Sequence, residues 1–267
     1  MQEDTPYEVV RGDTTPAQRA AAWAIGSGLQ AVDGLRTSKM ANEVAQQYIA
    51  GKIGYEVFEQ EIRAYYDDAA TPNDNDSREA DVAAARITRI INEPGFVFSP
   101  GALAAIHQQI FEDILPKGWV GKWRTENITK KEPVLNNKTV TYSSAAMIKA
   151  TLDYDFSQEA ARGLPPNATD AQCVSQAVAF ASSIWQIHPF REGNTRAVAV
   201  FLIKYLREMG LVVDNRPFAE NAQYFRDALV LDNAPLRQRN AEPLAQFAKL
   251  LLGQPIQLPS LRSSAPQ

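Results

Sequence analysis

Apolar residues recur at helical spacing on both sides of one short polar loop, and this pattern constrains the fold more than any other feature of the chain. The upstream stretch ends at residue 187, and the downstream stretch begins at residue 194. Each stretch carries an apolar stripe on one face, as expected for a helix that packs against a core. The stripes consist of Val174, Val178, Ala181, Ile184 and Trp185, then Val198, Phe201, Leu202, Tyr205 and Leu206. We therefore predict two packed helices that hold residues 188–196 between them.

Helix signals also dominate the rest of the chain, where capping residues such as Ser38 and Ser77 precede apolar-periodic segments. Residues 130–143 break this pattern. Two short runs rich in β-branched and apolar residues flank Asn136-Asn137-Lys138 there, which predicts a β-hairpin with an Asn turn. The predicted fold class is all-α, a helical bundle with a single β-hairpin and a small N-terminal helical module.

Composition divides the chain into three parts. Residues 1–76 form the N-terminal helical module, and the stretch rich in Asp, Asn and Pro at its end indicates a linker. Residues 77–257 form the main domain, and residues 258–267 are expected to be a flexible tail. Acidic residues outnumber basic ones in the first part, whereas the remainder is mildly basic. This division of charge is consistent with a module that docks intramolecularly on the main domain, and equally with ordinary variation in composition.

Composition also excludes several classes of protein. The chain has 267 residues, of which 45% are hydrophobic, and this is enough to form a core. Cys173 is the sole cysteine, so neither an internal disulfide nor a thiolate metal site is possible. No stretch approaches the ~20 apolar residues of a membrane span. The net charge is −4 without a basic stripe, which argues against nucleic-acid binding. The N-terminus lacks the features of a signal peptide, so we expect a cytoplasmic protein with no membrane or nucleic-acid partner.

The loop between the two apolar helices concentrates groups suited to phosphate chemistry. His188 can accept a proton near neutral pH, and Glu192 can bind a hard cation such as Mg²⁺ through oxygen. A helix beginning near Asn194 presents free backbone N–H groups beside Gly193 and Arg196, and these favour an anion. A base, a carboxylate, an anion site and an arginine within nine residues are the groups that a phosphoryl-type transfer needs.

The nonapeptide of residues 188–196 resembles the signature His-x-Phe-x-(Asp/Glu)-Gly-Asn-x-Arg of the Fic (filamentation induced by cAMP) family. Every specified position matches: His188, Phe190, Glu192, Gly193, Asn194 and Arg196. The resemblance implies a helical Fic fold and transfer of AMP from ATP to a protein hydroxyl. It implies ATP and a hydroxyl-bearing target protein as partners, with Mg²⁺ as cofactor.

The resemblance also assigns a role to each of the matching residues. His188 would deprotonate a Ser, Thr or Tyr hydroxyl of the target, and Glu192 would hold Mg²⁺ between the α- and β-phosphates. Backbone amides around Gly193 and Asn194 would stabilise the phosphate oxygens. Arg196 would neutralise the leaving pyrophosphate, while Phe190 would anchor the loop from beneath.

The predicted hairpin falls where the family carries a flap that docks the target, after a short motif that ends at Arg124. By analogy, the target would be aligned by strand addition to this flap. The flap residues expected to contribute are Lys130, Val134, Leu135 and Val140. A plain surface hairpin is the alternative for this segment. We expect Arg124 to form a structural salt bridge, and His107, within a predicted helix, to be structural as well.

Two positions depart from the family pattern. Thr195 stands where many AMP-transferring members have glycine, and its hydroxyl could bind phosphates or simply start the helix. Ala199 stands where many members carry a second arginine, so one phosphate contact is missing. These departures leave two alternatives open: transfer of another nucleotide or phosphate-containing group, and a non-enzymatic nucleotide-binding or interaction module of a toxin–antitoxin-like system.

The N-terminal segment around Asp33-Gly34 and residues 45–53 resembles the small VbhA-type antitoxins of Fic toxin–antitoxin pairs. In those antitoxins, a helix inserts a glutamate against the second arginine and obstructs ATP. Here Asp33 replaces the glutamate, and Ala199 offers no charge for it to pair with. We therefore expect a degenerate inhibitory motif, in which the module is a structural cap and inhibition is lost or works differently.

Overall fold

The structure is a computed structural model that describes residues 14–68, 74–164 and 167–262. Within these ranges the chain forms eleven α-helices, joined by loops and by 3₁₀ turns at Leu29–Asp33, Pro133–Leu135 and Ala145–Met147. The helices are α1 (Pro16–Gly28), α2 (Lys39–Ile49), α3 (Tyr55–Asp67), α4 (Asn75–Asn92), α5 (Pro100–Phe111), α6 (Ile148–Arg162), α7 (Asp170–Ile187), α8 (Asn194–Glu208), α9 (Arg216–Glu220), α10 (Ala222–Asp232) and α11 (Glu242–Leu251). The all-α prediction is confirmed.

Capping side chains explain where several helices begin. The Thr15 hydroxyl accepts a hydrogen bond from the Gln18 amide at the start of α1, and Ser38 caps α2 in the same way. The predicted start at Ser77 is wrong by two residues, because the Asp74 carboxylate caps α4 and accepts from the Ser77 amide at 3.1 Å. Some of the predicted linker, residues 69–73, and the last part of the predicted tail, residues 263–267, lie outside the described residues.

Helix α8 lies at the centre of the molecule, where every residue from Asn194 to Lys204 is buried. It packs against α4, α5 and α7. Helix α1 packs along α4 so closely that a Cβ on Gly26 would lie 2.4 Å from the Ala84 carbonyl oxygen. Apolar residues of the N-terminal segment, Ala22, Ile25, Leu29 and Val32, belong to the same core as α8. The N-terminal segment is therefore packed into the main core. No helix in the described ranges is both long enough and apolar enough to cross a membrane.

The predicted β-hairpin is wrong. Between residues 130 and 143 the chain forms a single antiparallel bridge, between Glu132 and Lys138, around the 3₁₀ turn Pro133–Leu135. Asn136 and Asn137 both have positive φ, 54° and 63°, so the Asn turn is present. The runs on either side do not pair as strands because the turn begins within the first of them, where the Glu132 carbonyl accepts from two of the following amides.

Candidate active site

The loop between α7 and α8 begins and ends with a residue in the left-handed region. His188 (φ 52°) ends α7, and Gly193 (φ 74°) precedes α8. Two hydrogen bonds close the loop: the Phe190 amide donates to Asn194 Oδ1 at 2.9 Å, and Asn194 Nδ2 donates to the Phe190 carbonyl at 2.8 Å. The Asn194 side chain is therefore occupied within the loop. The backbone N–H groups in the first turn of α8 lack intrahelical partners, so they are the groups that could bind an anion there.

Gly193 packs against a protein side chain. A Cβ at this position would lie 2.3 Å from the Phe111 ring of α5, and the positive φ independently favours glycine. The space that the missing side chain leaves is therefore filled by the Phe111 ring.

Phe190 is fully buried and stacks on His107, with ring centroids 3.8 Å apart. His107 Nδ1 accepts from the Gly121 amide at 3.0 Å, so Nε2 carries the proton and donates to the Glu192 carbonyl, also at 3.0 Å. Burial lowers the pKa of His107 to about 4, so this imidazole is neutral. His107 and Phe190 thus support the loop from below.

His188 is 2% exposed, and its two ring nitrogens differ. Nδ1 lies 3.3 Å from the Trp185 carbonyl oxygen, which can only accept, so the proton is on Nδ1. Nε2 is buried, has no hydrogen-bond partner among the described residues and keeps its lone pair. Burial first, and then the positive charge of Lys130, holds the pKa of His188 well below 6.5. His188 is therefore a neutral imidazole with a buried basic nitrogen that no described group occupies.

Arg124 fixes the backbone around His188. Its Nε donates to the His188 carbonyl at 2.8 Å, its Nη2 to the Ile187 carbonyl at 3.2 Å and its Nη1 to the Glu126 carbonyl at 2.6 Å. The prediction of a structural residue agrees with this geometry, although the described partners of the guanidinium are carbonyl groups rather than the carboxylate of a salt bridge.

Thr195 faces the interior. It is 6% exposed, and its hydroxyl accepts from the Trp185 indole N–H at 2.9 Å. The structure therefore does not support the alternative in which the Thr195 hydroxyl binds phosphates. Thr195 instead connects the start of α8 to Trp185, whose ring lies edge-on to His188 with centroids 5.3 Å apart.

Glu192 is the carboxylate at the rim of the loop. Its side chain is 40% exposed, and Oε1 lies 3.1 Å from the Gly193 amide and 3.9 Å from Lys130 Nζ. In the described part of the chain, no group of three or more His, Cys, Asp or Glu residues could hold a metal by itself. One accessible carboxylate suits Mg²⁺, which is commonly bound by one or two carboxylates together with substrate phosphates.

Arg196 is fully buried and bound by three side chains from earlier parts of the chain. Its guanidinium donates to Gln30 Oε1 at 2.9 Å and lies 2.9 Å from Asp33 Oδ2 and 2.6 Å from Glu79 Oε1. The expectation that Asp33 lacks a charge to pair with is wrong, because its partner is Arg196 rather than the residue at position 199. Gly34 (φ 77°) ends the 3₁₀ turn that carries Asp33. Sequence reasoning missed Gln30 and Glu79, since nothing local marks them.

The four predicted flap residues have different environments. Lys130 approaches Glu192, as given above, and Val134 is half-buried and packs on the core. Leu135 and Val140 are each only 2% exposed. Their assignment to a target-contacting flap is therefore corrected: both side chains anchor the loop of residues 124–143 to the core.

This loop and the helices around it are similar to parts of known proteins. Residues 97–206 match the Fic/DOC family model. The match runs from just before α5 into α8 and includes the whole loop of residues 188–196. This part of the chain is therefore similar to the Fic/DOC family. A comparison with curated proteins found no match.

Two solved structures share the fold. One is BepC, a VirB-translocated effector protein of Bartonella tribocorum with bound AMPPNP, and the other is the N-terminal Fic domain of a Bep effector from Bartonella quintana. Each is 18% identical to this chain and covers 68% of it, with 87% and 83% of their own chains matched and TM-scores of 0.53 and 0.52. This likeness establishes the helical Fic fold.

Proposed function

We propose that this protein is an adenylyltransferase that moves AMP from ATP to a Ser, Thr or Tyr hydroxyl of a target protein or of itself. The observation that carries the proposal is the state of His188, which ends α7 in the loop that leads to α8: a neutral imidazole whose Nε2 has no hydrogen-bond partner among the described residues. The Fic/DOC match and the ATP analogue bound to BepC support a nucleotide as the donor.

In the proposed reaction the target hydroxyl oxygen attacks the α-phosphorus of ATP. The bond from that phosphorus to the bridging oxygen breaks, pyrophosphate leaves, and the hydroxyl proton moves to His188 Nε2. Because the pKa of His188 is lowered, the base is deprotonated at neutral pH without a partner to activate it. The backbone N–H groups at the start of α8 would stabilise the charge that develops on the phosphate oxygens.

Glu192 is the residue that would hold Mg²⁺, and the ion would neutralise phosphate charge when bound. Lys130 Nζ, 3.9 Å from the Glu192 carboxylate, is placed to contribute positive charge on the same side of the loop. The expected contribution of Lys130 is electrostatic, in addition to the flap contact that the sequence predicted.

Arg196 is the residue that must change partners in this scheme. Its guanidinium is bound by Gln30, Asp33 and Glu79, so it cannot meet the terminal phosphates in the described conformation. We propose that the N-terminal segment competes with the nucleotide for Arg196 and thereby inhibits the enzyme. This differs from the pattern of VbhA-type antitoxins, in which the second arginine is the partner.

A second candidate is transfer of another nucleotide or of a phosphate-containing group. The observation in its favour is that Ala199, one turn after Arg196, is a buried alanine that offers no second cation for the terminal phosphates. A donor with fewer or differently placed phosphates would not need that contact.

Intact-mass measurement tests the proposal directly. The protein is incubated with Mg²⁺ and each of ATP, GTP, CTP and UTP, and in parallel with ATP labelled at the α- or γ-phosphate in the presence of lysate proteins. We expect a mass gain of one AMP and label from the α-phosphate alone, and a loss of about 100-fold or more in His188→Ala. His188→Gln, which fills the space, shows whether that loss reflects the missing base or a disturbed fold. Label from the γ-phosphate, a gain with another nucleotide alone, or nucleotide binding without any transfer would each contradict adenylylation.

A further inference from the structure

A fully buried carboxylate lies in the loop of residues 124–143. Glu132 is 0% exposed. Its Oε1 accepts from the Tyr142 hydroxyl at 3.0 Å, and its Oε2 lies 2.8 Å from Nη2 of Arg226, on α10. The two carboxylate oxygens therefore connect two different groups, one in the same loop and one on a helix that follows the active-site segment in sequence.

Tyr142 carries this connection to His188. Its ring lies against the imidazole, with centroids 4.5 Å apart and planes at 43°. Trp185 contacts another side of the same imidazole edge-on, and its carbonyl oxygen faces Nδ1. The orientation that leaves Nε2 free is thus defined by one aromatic ring from α7 and one from the loop of residues 124–143.

The network behind Tyr142 continues toward the surface, where it ends at Arg262, whose side chain is 43% exposed. Arg226 Nη1 lies 3.6 Å from Asp227 Oδ1, and Arg262 pairs with Asp227 through Nε at 2.6 Å and Nη2 at 3.0 Å. Buried ion pairs of this kind add little net stability compared with apolar side chains of similar size, because desolvation costs about as much as the attraction returns. Hydrogen-bonded networks at low dielectric do restrict orientation strongly. We therefore expect this network to affect the orientation of the Tyr142 ring more than the stability of the protein.

We propose that Tyr142 is a positioning residue for His188, and that the Glu132–Arg226 ion pair keeps the Tyr142 ring against the imidazole. The inference rests on the proposed role of His188 as base and deepens it, because it adds α10 to the elements that set the geometry of proton transfer. Removing the Tyr142 hydroxyl or the charge of Glu132 frees the aromatic ring at position 142, and the imidazole then samples orientations in which Nε2 no longer faces the target hydroxyl. Catalysis falls while binding of the nucleotide is unaffected.

The two histidines of the chain make this testable without any activity, by ¹⁵N NMR of imidazole nitrogens in the full-length protein. The His188 signals are those lost in His188→Asn. In Tyr142→Phe and in Glu132→Gln we expect the His188 signals to shift toward a mixture of tautomers, while those of His107 stay in place. Tyr154→Phe, at a tyrosine that is 62% exposed on α6, is the matched control and should move neither. A general loss of fold would move both histidines. His188 signals that coincide with wild type in both variants would overturn the proposal.

Steady-state kinetics supply the second readout. We expect Tyr142→Phe to lower kcat about tenfold with KM for ATP changed by less than about twofold, because a positioning defect acts on the transition state. Arg226→Lys should retain more of the rate than Arg226→Gln, since it keeps the charge that holds Glu132. Equal kcat in Tyr142→Phe and Tyr154→Phe would contradict the proposal. If the wild-type protein transfers nothing, the proposed function fails, and the NMR comparison still decides the role of Tyr142.

Discussion

Two residues of the matched signature, Gly193 and Asn194, determine how the loop packs within the protein. Asn194 closes the loop through two hydrogen bonds to the Phe190 backbone, and residue 193 must be glycine because the Phe111 ring occupies the space of a Cβ. The signature thus records the packing of the loop as well as its chemistry. These contacts fix the position of His188 relative to the first turn of α8.

Gly193→Ala tests this at the scale of one residue. The left-handed conformation costs an ordinary residue about 1–2 kcal/mol, and overpacking against Phe111 adds about 1–3 kcal/mol. Gly210→Ala is the matched control, since Gly210 has φ 76° and no described atom within 4 Å of where a Cβ would lie. In urea denaturation we expect Gly193→Ala to lose clearly more unfolding free energy than the control. Equal losses would show that the Phe111 contact does not matter.

At the scale of elements, the 3₁₀ turn Leu29–Asp33 and the start of α4 meet the start of α8 at one guanidinium. Arg196 has two carboxylate neighbours, and its Cζ lies 4.7 Å from the centroid of the Phe111 ring. The side chains of Asp33 and Glu79 are 27% and 22% exposed, so both can be reached by solvent while the arginine cannot. The Arg196 guanidinium could therefore exchange these carboxylates for phosphates, and its charge would not be left unpaired.

Asp33→Asn and Glu79→Gln keep the shapes of these side chains and remove their charges. We expect each to raise the affinity for ATP with Mg²⁺ several-fold in isothermal titration calorimetry, because the competitor for Arg196 is weakened. The double variant should have a larger effect, together with a loss of stability from the less well compensated guanidinium. Asp153→Asn, at an exposed ion pair on α6, serves as the control. Unchanged or weaker binding in both single variants would refute competition at Arg196.

For the whole molecule, the N-terminal segment and the main domain share one core. Leu29 is fully buried in the cluster that contains α8, although it lies in the segment that the sequence assigned to a separate module. Burial of an aliphatic side chain contributes about 1.5–3 kcal/mol, and several from this segment are buried together. The two parts are therefore expected to unfold as one unit.

Leu29→Ala measures that coupling. We expect it to lower the global unfolding free energy by about 2–5 kcal/mol within a single transition, because it leaves a cavity in the shared core. Leu236→Ala, at a leucine that is 92% exposed, should change stability by less than about 0.5 kcal/mol. Tryptophan fluorescence and far-UV circular dichroism should report the same midpoint. A separate early transition that alone shifts in Leu29→Ala would mean that the module unfolds independently.

The sequence by itself determined the helical class, the starts of α2 and α8 and the loop that carries His188, because caps and apolar periodicity are local signals. It also identified the Asn turn, since Asn tolerates positive φ, although the flanking runs do not form strands. The tertiary structure alone decided which groups meet there. The partners of Arg196 lie 117 or more positions away in the chain, Thr195 turned inward to Trp185, and Leu135 and Val140 turned into the core. Periodicity indicates which face of a segment is buried, but the residue opposite is set by how the segments pack, and no local pattern encodes that.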